Sequence, residues 1–193
     1  MLISISGLSG SGKDTSAQYL TKQGFQIFSW GTALRLHLAE RFHSPLPPQY
    51  QQAIELRPSY LEADKEWEKE SGFLEQLTAT STSDREQIYN QNLVRLERIL
   101  FRGTKVVIND TRFPREFDIV QKFGGLNIWL KREERFREIQ AHDKYLIIDK
   151  FDYVIENNNS LDELYMAWDK LLYKLEKIHS FSSISNYSTN LKL

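Results

Sequence analysis

Cysteine is absent from the 193 residues, which excludes a disulfide framework, a thiol nucleophile and any cysteine-ligated zinc or iron–sulfur site. An excess of one charge is missing too. Lys and Arg total 25 against 26 Asp and Glu, a formal net charge of -1, so no overall basic field points to nucleic acid or an anionic membrane, and only a local basic site stays open. No apolar run approaches the ~20 residues needed to cross a bilayer. The opening Met1-Leu2-Ile3-Ser4-Ile5-Ser6 carries no positive stretch before meeting glycines, and the expectation is a cytoplasmic protein. Histidine is scarce, and His37, His43 and His179 form no ligand cluster, so zinc is not expected. What is present is ordinary globular composition, 40% apolar and 26% charged, with length enough for one packed domain.

Periodicity organises the chain. Residues 2–6 alternate apolar and polar side chains and stop at Gly7, Gly10 and Gly12, the pattern of a strand running into a loop. Residues 14–23 hold no Gly or Pro and close on Gly24, which predicts a helix. A second strand over 25–29 and a helix with Leu34, Leu38 and Phe42 on one face follow. Four of the five prolines (Pro45, Pro47, Pro48, Pro58) then interrupt the pattern, and seven of the nine residues 62–70 are charged, the mark of a solvated helix face. A helix over 83–102, with Leu93, Leu96, Ile99 and Leu100 at helical spacing, completes a helical excursion over 45–103.

Strand signals return at 105–110, a β-branched run ending in Asp110. A helix after Pro114 carries Phe117, Val120 and Phe123 and closes on Gly124-Gly125, and residues 126–130 read as the next strand. Residues 131–139 are highly charged and predicted helical. A fifth strand at 153–155 leads to Ser160, which with Glu163 makes a capping box for an amphipathic helix bearing Leu161, Leu164, Trp168, Leu171, Leu172 and Leu175. Residues 179–193 include 8 Ser, Thr or Asn and are expected to form a loosely ordered polar tail. Strands alternating with helices through right-handed crossovers give a three-layer α/β domain with a mostly parallel five-stranded sheet.

The segment Gly7-Leu8-Ser9-Gly10-Ser11-Gly12-Lys13-Asp14-Thr15 fits G-x-x-x-x-G-K between a predicted strand and a predicted helix, the context that a Walker A phosphate loop requires. Glycines let successive backbone N–H groups point inward, the helix start adds partial positive charge, and Lys13 would reach β- and γ-phosphates. Nucleotide binding is therefore expected at Gly7, Ser9, Gly10, Ser11, Gly12, Lys13, Asp14 and Thr15. The residue after the lysine, normally a Ser or Thr whose hydroxyl ligates magnesium, is Asp14, with Thr15 next. Asp14 is a candidate for metal binding, for acceptor contact or for proton handling. Asp110 has the Walker B position and would hold Mg²⁺ directly or through water, with helix capping as its alternative role.

The loop at 7–15, together with Asn109-Asp110-Thr111-Arg112-Phe113-Pro114-Arg115-Glu116, the pair Gly124-Gly125 and the late Asn157-Asn158-Asn159-Ser160-Leu161-Asp162-Glu163-Leu164, resembles the deoxynucleoside monophosphate kinases of tailed bacteriophages. Residues 1–40 and 104–175 carry the resemblance. Arg115 stands where that family has Asn, and Asn159 where it has Gly. The resemblance implies a P-loop kinase fold over residues 1–178, with an acceptor-binding insertion at 45–103 and a lid-like segment at 131–143. It implies phosphoryl transfer from ATP, with Mg²⁺, to a (deoxy)nucleoside 5′-monophosphate. Small-molecule nucleotides would be the partners, without nucleic acid or membrane, and a homodimer is left open.

Arginines are the expected phosphate clamps, because their planar forks bind phosphate oxygens in pairs. Arg112 lies just past a strand end, where ligands of open α/β sheets bind, and Arg132 and Arg135 lie in the lid-like run with Lys131 and Arg137, where they would act in catalysis. Arg35 corresponds to a basic position near the acceptor phosphate in that family. Arg85 is a further acceptor candidate, with a surface arginine as its alternative, and Trp30 is either core or a platform for an acceptor base. His142-Asp143 looks like the short His-containing stretch of the same family, against a structural or solvated role. Two other readings compete: a P-loop kinase for dephospho-coenzyme A, phosphomevalonate or another phosphorylated small molecule, and a nucleotide-binding module without catalysis.

Overall fold

The computed structural model describes residues 1–32, 34, 35, 37, 72, 82–133 and 150–189. Five parallel strands form one sheet: β1 (Leu2–Ser6), β2 (Phe25–Phe28), β3 (Lys105–Ile108), β4 (Leu126–Lys131) and β5 (Tyr153–Glu156). Their spatial order is β2-β3-β1-β4-β5. From β1 the chain goes to the edge strand β2, returns to β3 beside β1 and then crosses to β4 and β5 on the other side, so β1 and β3 flank a topological switch point, the place in an open parallel sheet where ligands bind beyond the strands' carboxyl ends.

Helices cover both faces. Four of them are α1 (Lys13–Lys22), α2 (Thr82–Phe101), α3 (Pro114–Lys122) and α4 (Leu161–Thr189), and helical residues also begin at Trp30. The inner strands β1 and β3 are short and largely apolar because they are buried on both sides, whereas the edge strands β2 and β5 expose Gln26 and Val154. In β1, Ile3 and Ile5 join Ala17 and Leu20 of α1 and Leu164, Trp168, Leu171, Leu172 and Leu175 of α4 in one core. On the other face Leu2, Val106 and Ile108 pack with Tyr89 and Leu96 of α2 and Ile119 and Val120 of α3. The result is a three-layer α/β domain, as the sequence pattern predicts.

Differences from the predicted boundaries have local causes. Lys131 belongs to β4 rather than to a charged helix, because Lys131 pairs with Glu156 in the β4–β5 register. Helix α4 continues to Thr189, through most of the segment expected to be a loosely ordered tail. No Gly or Pro follows Ser160 in the sequence, so nothing local ends the helix. Ser160 begins α4 as expected, its hydroxyl accepting the Glu163 N–H at 3.3 Å. Most of the 45–103 insertion before α2, and residues 134–143 of the lid-like segment with Arg135, Arg137 and His142-Asp143, lie outside the described residues. Among the described residues no helix is long and apolar enough to cross a membrane.

Candidate phosphate site at the carboxyl edge of the sheet

The loop between β1 and α1 is built by its glycines. Gly12 caps α1 in the left-handed region, at φ 97° and ψ 21°, a conformation that costs a side-chain-bearing residue dearly. A Cβ there would also lie 2.6 Å from Asn157 Nδ2. At Gly7 a Cβ would lie 2.5 Å from the Leu130 carbonyl oxygen, so neither position admits a side chain. Lys13, in the first turn of α1 and nearly buried at 9% exposure, bends back over the loop and donates to the carbonyls of Gly7 at 2.8 Å and Leu8 at 2.9 Å. The α1 N-terminus, the curled backbone and this ammonium give one concave surface suited to an anion.

Beside the loop, Asn109 Nδ2 donates to Asp14 Oδ1 at 2.7 Å. This bond ties the end of β3 to the first turn of α1, and Ser6 Oγ donating to the Thr111 carbonyl at 2.8 Å ties β1 to the same loop. Asp14 is exposed and Thr15 half-buried. Carboxylate and hydroxyl are hard oxygen donors, which fits a magnesium ion that takes most of its shell from water and phosphate. No group of three or more His, Asp or Glu able to hold a metal by protein donors alone occurs among the described residues.

Asp110 is engaged differently from a simple Walker B ligand. Its Oδ2 accepts the Ser29 hydroxyl at 2.7 Å and the Gly31 N–H at 2.6 Å, while Oδ1 accepts the Trp30 N–H at 3.0 Å. The carboxylate therefore caps the helix that starts at Trp30, from the neighbouring strand end, and three of its four lone pairs are used. This is the capping role the sequence left open for Asp110 beside metal binding, and one lone pair remains for a metal-bound water. Arg35 comes to the same place: a Cβ on Gly31 would lie 2.7 Å from Arg35 Nη1 and 3.0 Å from Asp110 Oδ2. The missing side chain at Gly31 leaves room for both the guanidinium and the carboxylate near the ends of β2 and β3.

Arg112 follows at the same edge and is half-buried. Its backbone is fixed by Glu116, whose Oε2 accepts the N–H groups of Arg112 at 2.6 Å and Phe113 at 3.0 Å. Oε1 takes the Tyr89 hydroxyl at 2.8 Å. Glu116 is 2% exposed, and burial pushes its carboxyl up to about 7, with the Asp110 charge adding to the rise and the three hydrogen bonds opposing it. One local signal marks this residue in the sequence, an acid three places after Phe113 with Pro114 at the first helical position. Its burial was not legible.

Trp30 does not offer a base platform. It is 5% exposed and sits edge-on between Phe28 and Tyr89, with ring centroids 5.2 Å and 5.6 Å away, so the second core holds it. Arg132 is half-buried just past β4. Lys131, in the basic run, pairs with Glu133 at 2.7 Å and Glu156 at 3.7 Å, exposed pairs of small worth. Arg85 lies in α2, and its side chain is outside the described residues. The structure thus gathers Lys13, Asp14, Arg35, Asp110 and Arg112 along the ends of β1, β2 and β3, with Arg132 at the end of β4. Asn109, Glu116, Ser29 and Asn157 join them as residues that position the others.

No family model matches the chain, and no curated protein matches it in sequence. Solved structures do. Dephospho-CoA kinase from Campylobacter jejuni superposes with a TM-score of 0.58 at 13% identity, covering 92% of this chain and 98% of that one. Shikimate kinase from Aquifex aeolicus (TM-score 0.46, 14% identity, 93% and 98% covered) and a kinase of Chloroflexus aurantiacus described as putative (0.47, 11%, 91% and 96%) also match. The strand order, the glycine loop between β1 and α1 and the likeness to the Campylobacter enzyme identify the architecture as the P-loop kinase fold.

Proposed function

We propose that this chain is an ATP-dependent phosphotransferase acting on a (deoxy)nucleoside 5′-monophosphate and yielding the diphosphate and ADP. The observation that carries the reading is the Gly7–Lys13 loop, folded as a phosphate cradle at the switch point, with Arg112 just past the end of the adjacent strand β3 and Arg35 in the helical residues after β2. In this reading Lys13 exchanges the Gly7 and Leu8 carbonyls for the β- and γ-phosphate oxygens. Loop N–H groups fix the β-phosphate, and Arg112 and Arg35 hold the acceptor phosphate in line. Arg132 approaches from the β4 side. The acceptor oxygen is already anionic near neutral pH, so no side chain has to remove a proton from it. Asp14 and Thr15 would hold magnesium, which supplies neutralisation of charge on the β- and γ-oxygens.

Fold likeness to a dephospho-CoA kinase favours one second reading, in which dephospho-coenzyme A is the acceptor. The test is ADP release with Mg·ATP against ribo- and deoxyribonucleoside monophosphates, with dephospho-coenzyme A and phosphomevalonate alongside. Turnover with one or more monophosphates is the expected result. Turnover with dephospho-coenzyme A alone replaces the acceptor, and ATP binding without transfer to any of them leaves a nucleotide-binding module.

A further inference from the structure

The residue that holds the phosphate loop in shape is on the far side of the sheet sequence, at the end of β5. Asn157 is 8% exposed, and its Nδ2 donates to the Ser11 carbonyl at 2.8 Å. Ser11 stands between Gly10 at φ 82° and Gly12 at φ 97°, two residues with wide backbone freedom, so the Ser11–Gly12 peptide has little intrinsic reason to keep one orientation. A trans peptide is planar, with its C=O and N–H pointing in opposite directions. Fixing the Ser11 carbonyl toward Asn157 therefore turns the Gly12 N–H away from β5, to the loop's open side.

Asn157 is itself immobilised. Its N–H donates to the Lys131 carbonyl at 2.7 Å, one step beyond the Lys131–Glu156 pair that ends the β4–β5 register. The next residue reaches the other way: Asn158 Oδ1 accepts the Glu133 N–H at 2.8 Å. Two successive asparagines thus hold both the phosphate loop and the segment that carries Arg132. The close approach at Gly12, where a Cβ would strike Asn157 Nδ2, shows that loop and asparagine are fitted to each other.

We propose that Asn157 is a positioning residue for nucleotide phosphate binding, setting the Ser11–Gly12 peptide so that the Gly12 N–H serves the bound phosphate. The proposal rests on the reading of the glycine loop as a nucleotide cradle. The amide is required as a donor here, because the atom it meets is a carbonyl oxygen. A carboxylate of the same shape offers only lone pairs and would repel the Ser11 oxygen.

The test is N157D, with a fluorescent ATP analogue (mant-ATP) titrated into the full chain and thermal unfolding of the free protein measured alongside. At pH 8 the affinity of N157D is expected to fall at least tenfold below wild type, about 1.4 kcal/mol. At pH 5.5, where a buried carboxyl facing a carbonyl is protonated and can donate again, the gap should close to within about threefold. N157A, which has no group to protonate, should show the deficit at both pH values, and it provides the same comparison at pH 8 if N157D is too unstable to measure. Equal mant-ATP affinity of wild type and both folded variants at pH 8 overturns the role of Asn157, as does an N157D deficit as large at pH 5.5 as at pH 8. Failure of the wild-type protein to bind mant-ATP overturns the nucleotide reading itself.

Discussion

Glu116 Oε2 lies 2.6 Å from the Arg112 amide nitrogen, so a buried acid fixes the backbone of the arginine just past the end of β3. The Glu116 carboxyl is raised from its ordinary 4.5 to about 7. Its charged form is thus disfavoured in the folded protein relative to the unfolded chain. The folded state binds more protons between those two values, and stability falls as pH rises from 4.5 through 7. The full cost above pH 7 is about 3 kcal/mol, from ~1.4 kcal/mol per pKa unit. Glu116→Gln keeps the shape and an acceptor for the Arg112 and Phe113 N–H groups, and it cannot ionise. Urea unfolding at pH 5 and pH 8 should show wild type losing stability across the interval and Glu116→Gln losing much less. Parallel slopes in the two proteins would contradict this.

Lys13 donates to two loop carbonyls and, in the proposed reaction, to phosphates. Lys13→Ala should lower turnover by about 10² to 10³, the usual effect of removing a donor that stabilises developing charge, and should also weaken ATP binding. Alanine is a strong helix former in the first turn of α1, so far-UV circular dichroism should be unchanged. Wild-type turnover in this variant would remove the phosphate-loop assignment.

Arg112 is expected to act on the acceptor. In Arg112→Ala, kcat/KM for the acceptor should drop by about 10- to 100-fold through loss of charge-assisted bonds, with ATP affinity within about twofold of wild type. Steady-state kinetics at saturating ATP measures the first quantity and direct titration the second. A loss confined to ATP affinity would assign the residue to the donor side.

Asp110 accepts three hydrogen bonds at the turn after β2. Asp110→Ala leaves Ser29 Oγ and the Trp30 and Gly31 N–H groups without that acceptor and should cost about 2 to 3 kcal/mol of unfolding free energy with no magnesium present. Unfolding in the presence of a chelator reads this directly. Unchanged stability, with only the magnesium dependence of turnover altered, would assign the carboxylate to the metal rather than to the cap.

Much of this molecule is legible in its residue order, because the informative signals are local. The strand at 2–6, the glycine loop, the helix ending before Gly24 and the helix from Pro114 each depend on residues a few places apart. Five short apolar segments alternating with helices already imply the parallel sheet. The reading weakened where a residue's partner is distant. Asp110 admitted both a metal-binding and a capping role, because its partners Ser29, Trp30 and Gly31 are about 80 positions away. Trp30 is a core candidate with a base platform as its lesser alternative, and Phe28 and Tyr89 enclose it.

By itself, then, the sequence determined the α/β architecture and the place of the phosphate loop, through hydrophobic period and the conformations that glycine alone permits. Tertiary structure decided which polar side chains face a ligand and which hold others in place. Burial of Glu116, the capping role of Asp110 and the grip of Asn157 on Ser11 all arise when strand ends come together, β2 beside β3 and β5 beside β4. Hydrogen bonding and desolvation act over ångströms in space, and separation along the chain carries no record of them.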